Sequence, residues 1–484
     1  MDLKEPPSET RSLTHRETLF ILLGVLLPVF MGSLDNTILA GALPTIGREF
    51  GDLHILPWLI TTYLIANTAV VPLYGKISDI YGRRTTLLIA ISMYMAGSLV
   101  CAFAPNMYVF ILGRALHGLG GGGLTSTGMV ILGDVAAPRD RGKYYAYFSA
   151  TYTTAGACGP ALGGFFAEYL HWSMIFWLNI PLGLTAIVLT LTLLRKLPRR
   201  ERPHKLDFVG AGLIMSASVS LMLAISLGGV RYGWTSPPIL TLFALAAVVG
   251  TGFVIRLLTA EEPLIPLAIL KDSTARLAIM VNASGWASIV GLNIFLPTYL
   301  QGILGMTATS AGLSVLALSV VLNSSAGVAG TIIPRMRHYK LIPMIGMAMA
   351  VTGALLMSWR APSMTFWEFE ATLALIGIGF GATPPMSAMV LQNSVAAHQF
   401  GSAVGTMQFS RNLCCTMMVA VFGALVLGGG AMLDPVGPAL ASAAMPEYRP
   451  EGFVRVFYTA AASFAVALVC LALIEEKPLQ TTHS

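Results

Sequence analysis

Three ionisable residues stand inside long apolar stretches of the sequence, where a charge is costly to bury. Asp35 lies in the stretch 18–41, and Arg114 and His117 lie together in 108–131. Burial favours the protonated form of a carboxyl group, whereas a neighbouring arginine favours its ionised form. If Asp35 and Arg114 meet, a change in their surroundings would therefore bind or release a proton. Two alternatives stay open, because the pair could be a static ion pair and His117 could be a neutral, hydrogen-bonded side chain.

The composition shows what surrounds these residues. Of the 484 residues, 55% are hydrophobic and only 11% are charged, whereas a soluble domain carries roughly 25% charged residues. A bilayer-spanning helix needs about 20 mostly apolar residues, so the chain has room for a dozen or more spans. A water-soluble enzyme, a disordered chain and a nucleic-acid-binding domain are therefore excluded. The net charge of +6 is interpreted by where the charges lie, and nucleic acid is not expected as a partner.

The five cysteines are expected to be packing residues. All of them lie in apolar stretches, without a Cys-x-x-Cys pattern or a histidine-rich neighbour. We therefore expect no disulfide framework, no metal site and no cofactor.

Hydropathy predicts fourteen membrane-spanning helices. The apolar runs are continuous and about twice as long as the alternating segments of a membrane β-barrel, so they are predicted to be helices. Their boundaries are 18–41, 57–75, 86–104, 108–131, 144–167, 172–194, 208–228, 237–257, 277–300, 309–332, 341–359, 370–391, 403–427 and 456–474.

The charges in the loops predict the orientation. If the N-terminus is cytoplasmic, most of the 29 lysines and arginines lie in cytoplasmic segments, as the positive-inside rule requires. An even number of spans also places both termini on one side. We therefore expect a multi-pass protein of the cell (inner or plasma) membrane. The expected cytoplasmic segments are the tails 1–17 and 475–484, a basic linker at 195–207 and a second linker at 258–276.

A weak internal repeat predicts two related bundles. Residues 118–122 in span four align with 377–381 in span twelve, and residues 75–83 align with 327–335 after span ten. The two offsets are similar, as expected for two halves of common origin. Two bundles without a soluble domain form the architecture of an alternating-access carrier. The predicted divisions are six-helix bundles at 18–194 and 277–474 and two inserted helices at 208–257.

The strongest local pattern runs from Gly75 to Arg84, after span two. Gly75 allows helices to approach closely and Gly82 permits a tight turn. Asp79 can pair with an arginine or accept hydrogen bonds from the N-terminus of a helix in the other bundle, where the helix dipole favours an anion. In residues, spacing and location this stretch resembles the loop between spans two and three of the major facilitator superfamily. The resemblance implies an all-α major facilitator fold with a latch between the bundles, to which we assign Gly75, Asp79, Gly82, Arg83, Arg84 and Arg411.

Further motifs resemble the fourteen-span drug:proton antiporters, the DHA2-type multidrug efflux family of that superfamily. Residues 34–44 are similar to its span-one motif, residues 172–183 to its start of span six and residues 295–301 to its end of span nine. His117 departs from the family, which has glutamine there. A glycine–proline stretch in span five resembles the antiporter motif of the exporters, and its residues are Gly156, Gly159, Pro160, Gly163 and Gly164.

The resemblance implies a function. It implies a transporter that is not an enzyme and that exports drug-like amphiphilic or lipophilic compounds by alternating access, with proton coupling at Asp35 and Arg114. His117 could relay the proton. The closest alternative is a carrier of the same fold for a defined metabolite such as a siderophore, a sugar or an amino acid. A channel or a membrane enzyme is not expected, because the sequence shows no filter loop and no nucleophile–base or metal cluster.

The charges of the second bundle indicate which substrate charge the cavity can accept. Spans nine to thirteen place no acidic residue deep in the membrane, whereas Arg411 lies in span thirteen. A divalent cation therefore fits poorly, while a monovalent lipophilic cation, a neutral amphiphile and a weak acid stay open. The expected partners are the lipid bilayer, the small lipophilic substrate and protons, and the protein is expected to act as a monomer. Aromatic side chains are expected to line the cavity, and the candidates are Trp58, Tyr63, Tyr152, Trp286, Phe295 and Tyr299.

Overall fold

The computed structural model is predominantly helical in the ranges that it describes. These ranges are 15–50, 56–136, 141–196, 206–229, 232–336, 338–360, 363–396, 399–427 and 450–476. Within them, the β-type pairing is one isolated bridge between Gly228 and Tyr232. Most of both predicted tails and the centre of the predicted basic linker lie outside these ranges.

The first half of the chain forms a helical bundle in which α1 packs on α5 and α4 packs between α2 and α3. Its helices are α1 (His15–Phe50), α2 (Pro57–Tyr81), α3 (Arg83–Ala102), α4 (Met107–Val135), α5 (Arg141–Tyr169), α6 (Met174–Trp177) and α7 (Asn179–Leu193).

The second half forms another bundle, in which α11 packs on α16 and α17, and α14 packs on α12 and α13. Between the bundles come α8 (Phe208–Leu227), α9 (Pro237–Thr259) and the short α10 (Leu267–Lys271). The second bundle consists of α11 (Ser273–Gly302), α12 (Ala308–Ile332), α13 (Leu341–Arg360), α14 (Phe366–Gly381), α15 (Thr383–Ser394), α16 (Phe400–Leu427) and α17 (Pro450–Leu473).

Eleven helical segments in the described ranges are long and apolar enough to cross a membrane. The helices α2, α4 and α5 coincide with three further predicted spans, and they have the necessary length. Glycine and hydroxyl-bearing residues lower their hydropathy, as the run of four glycines ending at Gly123 illustrates. The all-helical membrane fold is therefore confirmed, whereas the count of fourteen spans stays a prediction.

Two predicted spans are each built from two helices. Span twelve is formed by α14 and α15, which meet at Ala382. Pro384 and Pro385 follow directly and lack the backbone N–H that would continue the α14 ladder. Span six is formed by α6 and α7, which meet at Leu178.

Glycine lets α4 pack closely against its neighbours. A Cβ atom on Gly123 would lie 2.6 Å from the ring of Tyr74 in α2, and a Cβ atom on Gly113 would lie 2.8 Å from Cys101 Sγ in α3. Small residues at such crossings allow helix backbones to approach. The position of α4, which carries Arg114, is therefore fixed from two sides.

The inserted helices α8 and α9 pack against each other, and α8 also contacts α2 and α16. Asp207 caps the start of α8, where its Oδ1 accepts from Gly210 N at 3.0 Å. The same oxygen accepts from Arg256 Nε of α9 at 3.0 Å. This carboxylate therefore joins the two inserted helices to each other.

Candidate functional site

Asp35 and Arg114 form a buried ion pair inside the first bundle. Asp35 lies near the middle of α1, and Arg114 lies near the start of α4, which Asn106 caps by accepting from Val109 N at 3.0 Å. Arg114 Nη1 donates to Asp35 Oδ1 at 2.9 Å and to Oδ2 at 2.8 Å. The side chains are only 2% and 1% exposed for Arg114 and Asp35. Both carboxylate oxygens accept from a cation, which is the arrangement of an ionised carboxylate.

The hydrogen bonds of His117 identify its neutral form. Arginine can only donate, so the 2.9 Å contact between Arg114 Nη1 and His117 Nδ1 makes Nδ1 an acceptor. The proton of the neutral ring then lies on Nε2, which donates to Ser98 Oγ at 3.0 Å. Asn179 Nδ2 donates to the same oxygen at 3.0 Å. A second proton on the ring would lie on Nδ1, which is 2.9 Å from Arg114 Nη1 and 3.5 Å from Asp35 Oδ1, so a protonated His117 would no longer accept from the arginine.

Aromatic rings enclose this cluster. The guanidinium carbon of Arg114 lies 4.3 Å from the ring centroid of Tyr63, and the ring of Tyr94 lies 3.9 Å from that of His117. Arg114 Nε donates to the carbonyl oxygen of Leu59 at 2.9 Å. Tyr63, predicted as a wall of the substrate cavity, is buried here against the arginine. The cluster is therefore shielded from water in the described state.

Sequence reasoning missed the neutral polar residues that support the cluster. Ser98 in α3 and Asn179 in α7 are buried, and together they hold the outer nitrogen of His117. Neutral polar residues in an apolar helix carry a signal, because a buried polar group needs a partner. Asn179 lies in the motif at the start of span six, and its side chain connects α7 to α3.

Asp79 joins the two bundles. Its Oδ1 accepts from Gly401 N at 2.9 Å, and its Oδ2 accepts from Ser402 N at 2.7 Å and from Ser402 Oγ at 2.8 Å. Gly401 and Ser402 belong to the first turn of α16, so the carboxylate lies at the positive end of that helix dipole. We call this end of the molecule, where α2 ends and α16 begins, the latch end.

Arg83 holds Asp79 from within the first bundle. Its Nη1 donates to Asp79 Oδ1 at 2.8 Å, and its Nε donates to Asp134 Oδ2 at 2.6 Å. Gly82, between α2 and α3, has a φ of +85°, which favours glycine because it has no Cβ atom. Arg84 does not join this network and donates to a backbone carbonyl of α7 at 3.1 Å.

Close backbone packing accompanies the Asp79 contacts at the latch end. A Cβ atom on Gly75 would lie 2.6 Å from Gly401 O, so the backbones of α2 and α16 touch. A Cβ atom on Gly327 of α12 would lie 3.6 Å from Ala146 Cβ of α5. The two bundles are therefore closed against each other at this end.

A cavity lies between the bundles, further along α16 from the latch. Counted together with the gaps between the lining atoms and the part that is open to the surroundings, its space is about 510 Å³. The first bundle contributes Met129, Leu132 and Tyr145, and the second contributes most of the lining from α11, α15 and α16. Among the described residues, those that line the cavity include one charged side chain, Arg411, and no acidic one.

Arg411 lies in this cavity rather than at the latch, where the sequence predicts it. Nine residues separate it from Ser402, which is about 14 Å along a helix. Its Nε and Nη2 donate to Asn412 Oδ1 at 3.3 and 3.2 Å, and its guanidinium carbon lies 5.7 Å from the ring centroid of Trp286. In the part of the chain that the structure describes, no carboxylate forms an ion pair with it.

The other predicted wall residues lie in different places. Trp286 lines the cavity, whereas Tyr152 packs against the core of the first bundle. Phe295 packs against a phenylalanine of α16, with ring centroids 6.1 Å apart. Tyr299 is buried in the core of the second bundle, stacked 5.6 Å from a phenylalanine of α14, and Trp58 is half-buried at the start of α2.

The glycines of the predicted antiporter motif have two different environments. A Cβ atom on Gly159 would lie 2.7 Å from Thr37 Cβ, and one on Gly163 would contact the backbone of Ile38, so both lie where α5 crosses α1. A Cβ atom on Gly156 or on Gly164 would meet no described atom within 4 Å. Pro160 belongs to α5, and its side chain lies outside the described part of the structure.

No three histidine, cysteine, aspartate or glutamate side chains in the described ranges come together as a metal site would require. The acidic groups of the cluster and of the latch pair with arginine instead, Asp35 with Arg114 and Asp79 with Arg83.

Comparisons with known proteins agree with this architecture. The family model described as Major Facilitator Superfamily matches residues 25–419. The "Multidrug transporter protein MdtP" of Bacillus subtilis (strain 168) is 31% identical over 428 residues, which cover 87% of this chain and 78% of that protein. The "Efflux pump dotC" of Dothistroma septosporum is 30% identical and covers 96% of this chain and 84% of that protein.

A solved structure has the same fold. The human organic anion transporter MFSD10 (TETRAN) superposes with a TM-score of 0.67 over 96% of this chain and 100% of that chain. The two sequences are 18% identical, so this likeness concerns the fold alone.

Proposed function

The chain belongs to the major facilitator superfamily, and from this premise we propose that it exports amphiphilic organic compounds in exchange for protons. The names of its relatives, a multidrug transporter and an efflux pump, support the export of such compounds. The buried cluster of Asp35, Arg114 and His117 supports the coupling to protons. This cluster is the observation that carries the proposal.

A proton on Asp35 would weaken the cluster. A protonated carboxyl group has no charge to offer Arg114 and one acceptor fewer, so the ion pair between α1 and α4 would lose most of its attraction. The arginine would then be left as a buried charge with weaker partners, which favours a conformation that rehydrates it. Protonation of Asp35 therefore favours a different arrangement of the first bundle.

The helices that contain the cluster, or pack against it, also line the substrate cavity, so a rearrangement of the cluster would alter the cavity. Arg114 and the cavity residues Met129 and Leu132 all belong to α4, and α1 packs on α5, which carries Tyr145. A shift of α4 or α5 would therefore change the cavity and the contact between the bundles together. Coupling requires only that the proton and the substrate stabilise different conformations.

We further propose that the latch end faces the cytoplasm, together with both termini, and that one copy of the chain is sufficient for transport. In this orientation the described state is closed to the cytoplasm. The substrate would then enter the cavity when the latch opens and leave on the other side after it closes. The distribution of loop cations supports this orientation.

The test compares the chain with its Asp35→Asn variant in energised cells that lack their own efflux pumps. The dyes are ethidium, which is cationic, Nile red, which is neutral, and fluorescein, which is anionic. We expect export of at least one dye, arrested by an uncoupler and lost in Asp35→Asn at an equal amount of protein in the membrane. Asparagine preserves the shape of the side chain but cannot bind or release the proton.

Asp272→Asn is the matched control, because Asp272 caps α11 of the second bundle by accepting from Ala275 N at 2.8 Å, whereas the cluster lies in the first bundle. This variant should export at the rate of the unmodified chain. Full, uncoupler-sensitive export by Asp35→Asn would remove Asp35 from the mechanism. Export of no dye by the unmodified chain would contradict the proposed function itself.

A further inference from the structure

We propose that the cavity binds a lipophilic organic acid, with the carboxylate on Arg411 and the apolar body against Trp286 and the methionines around it. The inference rests on the proposed function, because it names the substrate class of the same transporter. It selects one of the three classes that the sequence leaves open, namely the weak acid, and argues against the lipophilic cation.

The charge of the cavity argues against a cation. Arg411 is half-buried on its wall, and among the described lining residues no carboxylate offsets it. The deep carboxylate Asp35 is not available, because both of its oxygens accept from Arg114 and its side chain is 1% exposed. A cationic solute would therefore meet repulsion from Arg411 without any compensating acid, whereas an anion would be attracted.

The shape of the charged group favours a carboxylate. Guanidinium is planar and can donate two parallel hydrogen bonds to a carboxylate. The side-chain hydrogen bonds of Arg411 go to one neutral acceptor, Asn412 Oδ1, at 3.2 and 3.3 Å. A hydrogen bond to an ionised acceptor is shorter and stronger than one to an amide. The acid group of a solute could therefore replace the amide as the partner of this arginine.

Asn282, which also lines the cavity, has a buried acceptor that a donor on the solute could satisfy. Ser387 Oγ donates to Pro384 O at 3.0 Å, so it must accept from Asn282 Nδ2, which lies 3.0 Å away. This fixes the orientation of the Asn282 amide and leaves its Oδ1 buried without a hydrogen-bond partner among the described residues. A buried acceptor without a partner is costly. A hydroxyl or amino group on the solute would satisfy it.

The rest of the wall suits an apolar, aromatic body. Trp286 lies beside Arg411, and Met129, Met389 and Met407 come from both bundles. Methionine side chains are flexible and polarisable, so they adapt to solutes of different shapes. The geometry therefore assigns to this cavity an aromatic acid with one hydrogen-bond donor.

The test measures binding to the purified chain in lipid nanodiscs by calorimetry, with three probes that share one aromatic body. These are 2-naphthoic acid, 2-naphthamide and 2-naphthylmethylamine. We expect the acid to bind about tenfold more tightly than the amide, as a charge-assisted hydrogen bond provides, and the amine to bind most weakly. The hydroxylated acid, 6-hydroxy-2-naphthoic acid, should bind more tightly than 2-naphthoic acid.

Variants then identify the residues that cause the acid to bind more tightly than the amide. Arg411→Gln should reduce the acid-to-amide ratio to about threefold or less while it leaves amide binding unchanged, which also shows that the variant is folded. Arg411→Lys should keep part of the preference. Arg455→Gln removes an exposed arginine of α17 and is the matched control, for which no change is expected. Asn282→Ala should remove the gain from the hydroxyl group.

Two results would overturn the inference: an amine that binds the unmodified chain as tightly as the acid, or an Arg411→Gln variant that keeps the preference for the acid. Either result leaves the proposed function intact if dye export still depends on Asp35. Conversely, tighter binding of the acid without any uncoupler-sensitive export would contradict the proposed function but would still support the inferred binding site.

Discussion

At the scale of single residues, His117 is a neutral side chain that positions Arg114, and glutamine can make both of its hydrogen bonds. The amide oxygen of glutamine would accept from Arg114 Nη1 and its nitrogen would donate to Ser98 Oγ, as the two ring nitrogens do. We expect His117→Gln to keep the export rate within about threefold and to keep its dependence on pH. The measurement is the initial export rate between about pH 5 and 8, the range in which histidine titrates.

His117→Leu tests whether His117 acts through its hydrogen bond with Arg114 or only by filling space. Leucine cannot accept from Arg114, and a buried donor without a partner costs about 1–3 kcal/mol. The export rate of this variant should therefore fall about tenfold or more. If His117→Gln lost the pH dependence instead, the ring itself would carry the proton, and its role as a positioning residue would be wrong.

The residues of the cluster were predictable to different degrees. Asp35 and Arg114 stand out in the sequence because a charge inside an apolar run needs a partner, and the structure brings them within 2.8 Å. Ser98 carries no charge and looks like any other hydroxyl group in a membrane helix. Arg411 belongs to the same helix as the latch contacts, but the sequence does not reveal that those contacts lie at Gly401 and Ser402, about two and a half turns before it.

At the scale of helices, the packing of α5 on α1 depends on which glycines face the contact. A Cβ atom on Gly163 would contact the backbone of Ile38, whereas one on the next residue, Gly164, would meet no atom of the described residues within 4 Å. We expect Gly163→Ala to lower the free energy of unfolding by about 1–3 kcal/mol, because the helices must move apart. Gly164→Ala should raise it by about 0.5–1 kcal/mol, since alanine is the better helix former and has room.

Thermal unfolding of the purified variants in one detergent checks this pair, and the melting temperatures should change in opposite directions. The two substitutions are adjacent and chemically identical, so each is the control for the other. Equal destabilisation of both variants would show that α5 depends on glycine for flexibility rather than for its contact with α1.

The sequence predicted the helices better than the contacts between them. The long apolar runs fix where most helices lie, and the proline pair after Ala382 accounts for the break between α14 and α15. The glycines of the span-five motif look equivalent along the chain. They differ because the crossing of α1 and α5 brings only Gly159 and Gly163 to the contact, and a crossing angle results from the packing of both helices.

At the scale of the whole molecule, we expect the latch to set the balance between two arrangements of the bundles. Asp79 accepts three hydrogen bonds from the start of α16 and pairs with Arg83. Asp79→Asn removes the charge that both partners attract, at a cost of about 1–3 kcal/mol to the closed state. We expect the population of the latch-closed state to fall about tenfold or more relative to the open one. Turnover should slow because each cycle must close the latch, while equilibrium binding of solute stays nearly unchanged.

Spin labels at Tyr81→Cys and Leu341→Cys, in a background without the native cysteines, report the separation of the bundles at the latch end. Both positions are exposed, one at the end of α2 and the other at the start of α13. Asp207→Asn is the matched control, because Asp207 also caps a helix and contacts an arginine, and its contacts with described residues join α8 to α9. It should leave the distance distribution unchanged. If the distance distribution of Asp79→Asn were also unchanged, the backbone contact of Gly75 with Gly401 would be sufficient to hold the bundles closed, and the carboxylate would have no part in the switch.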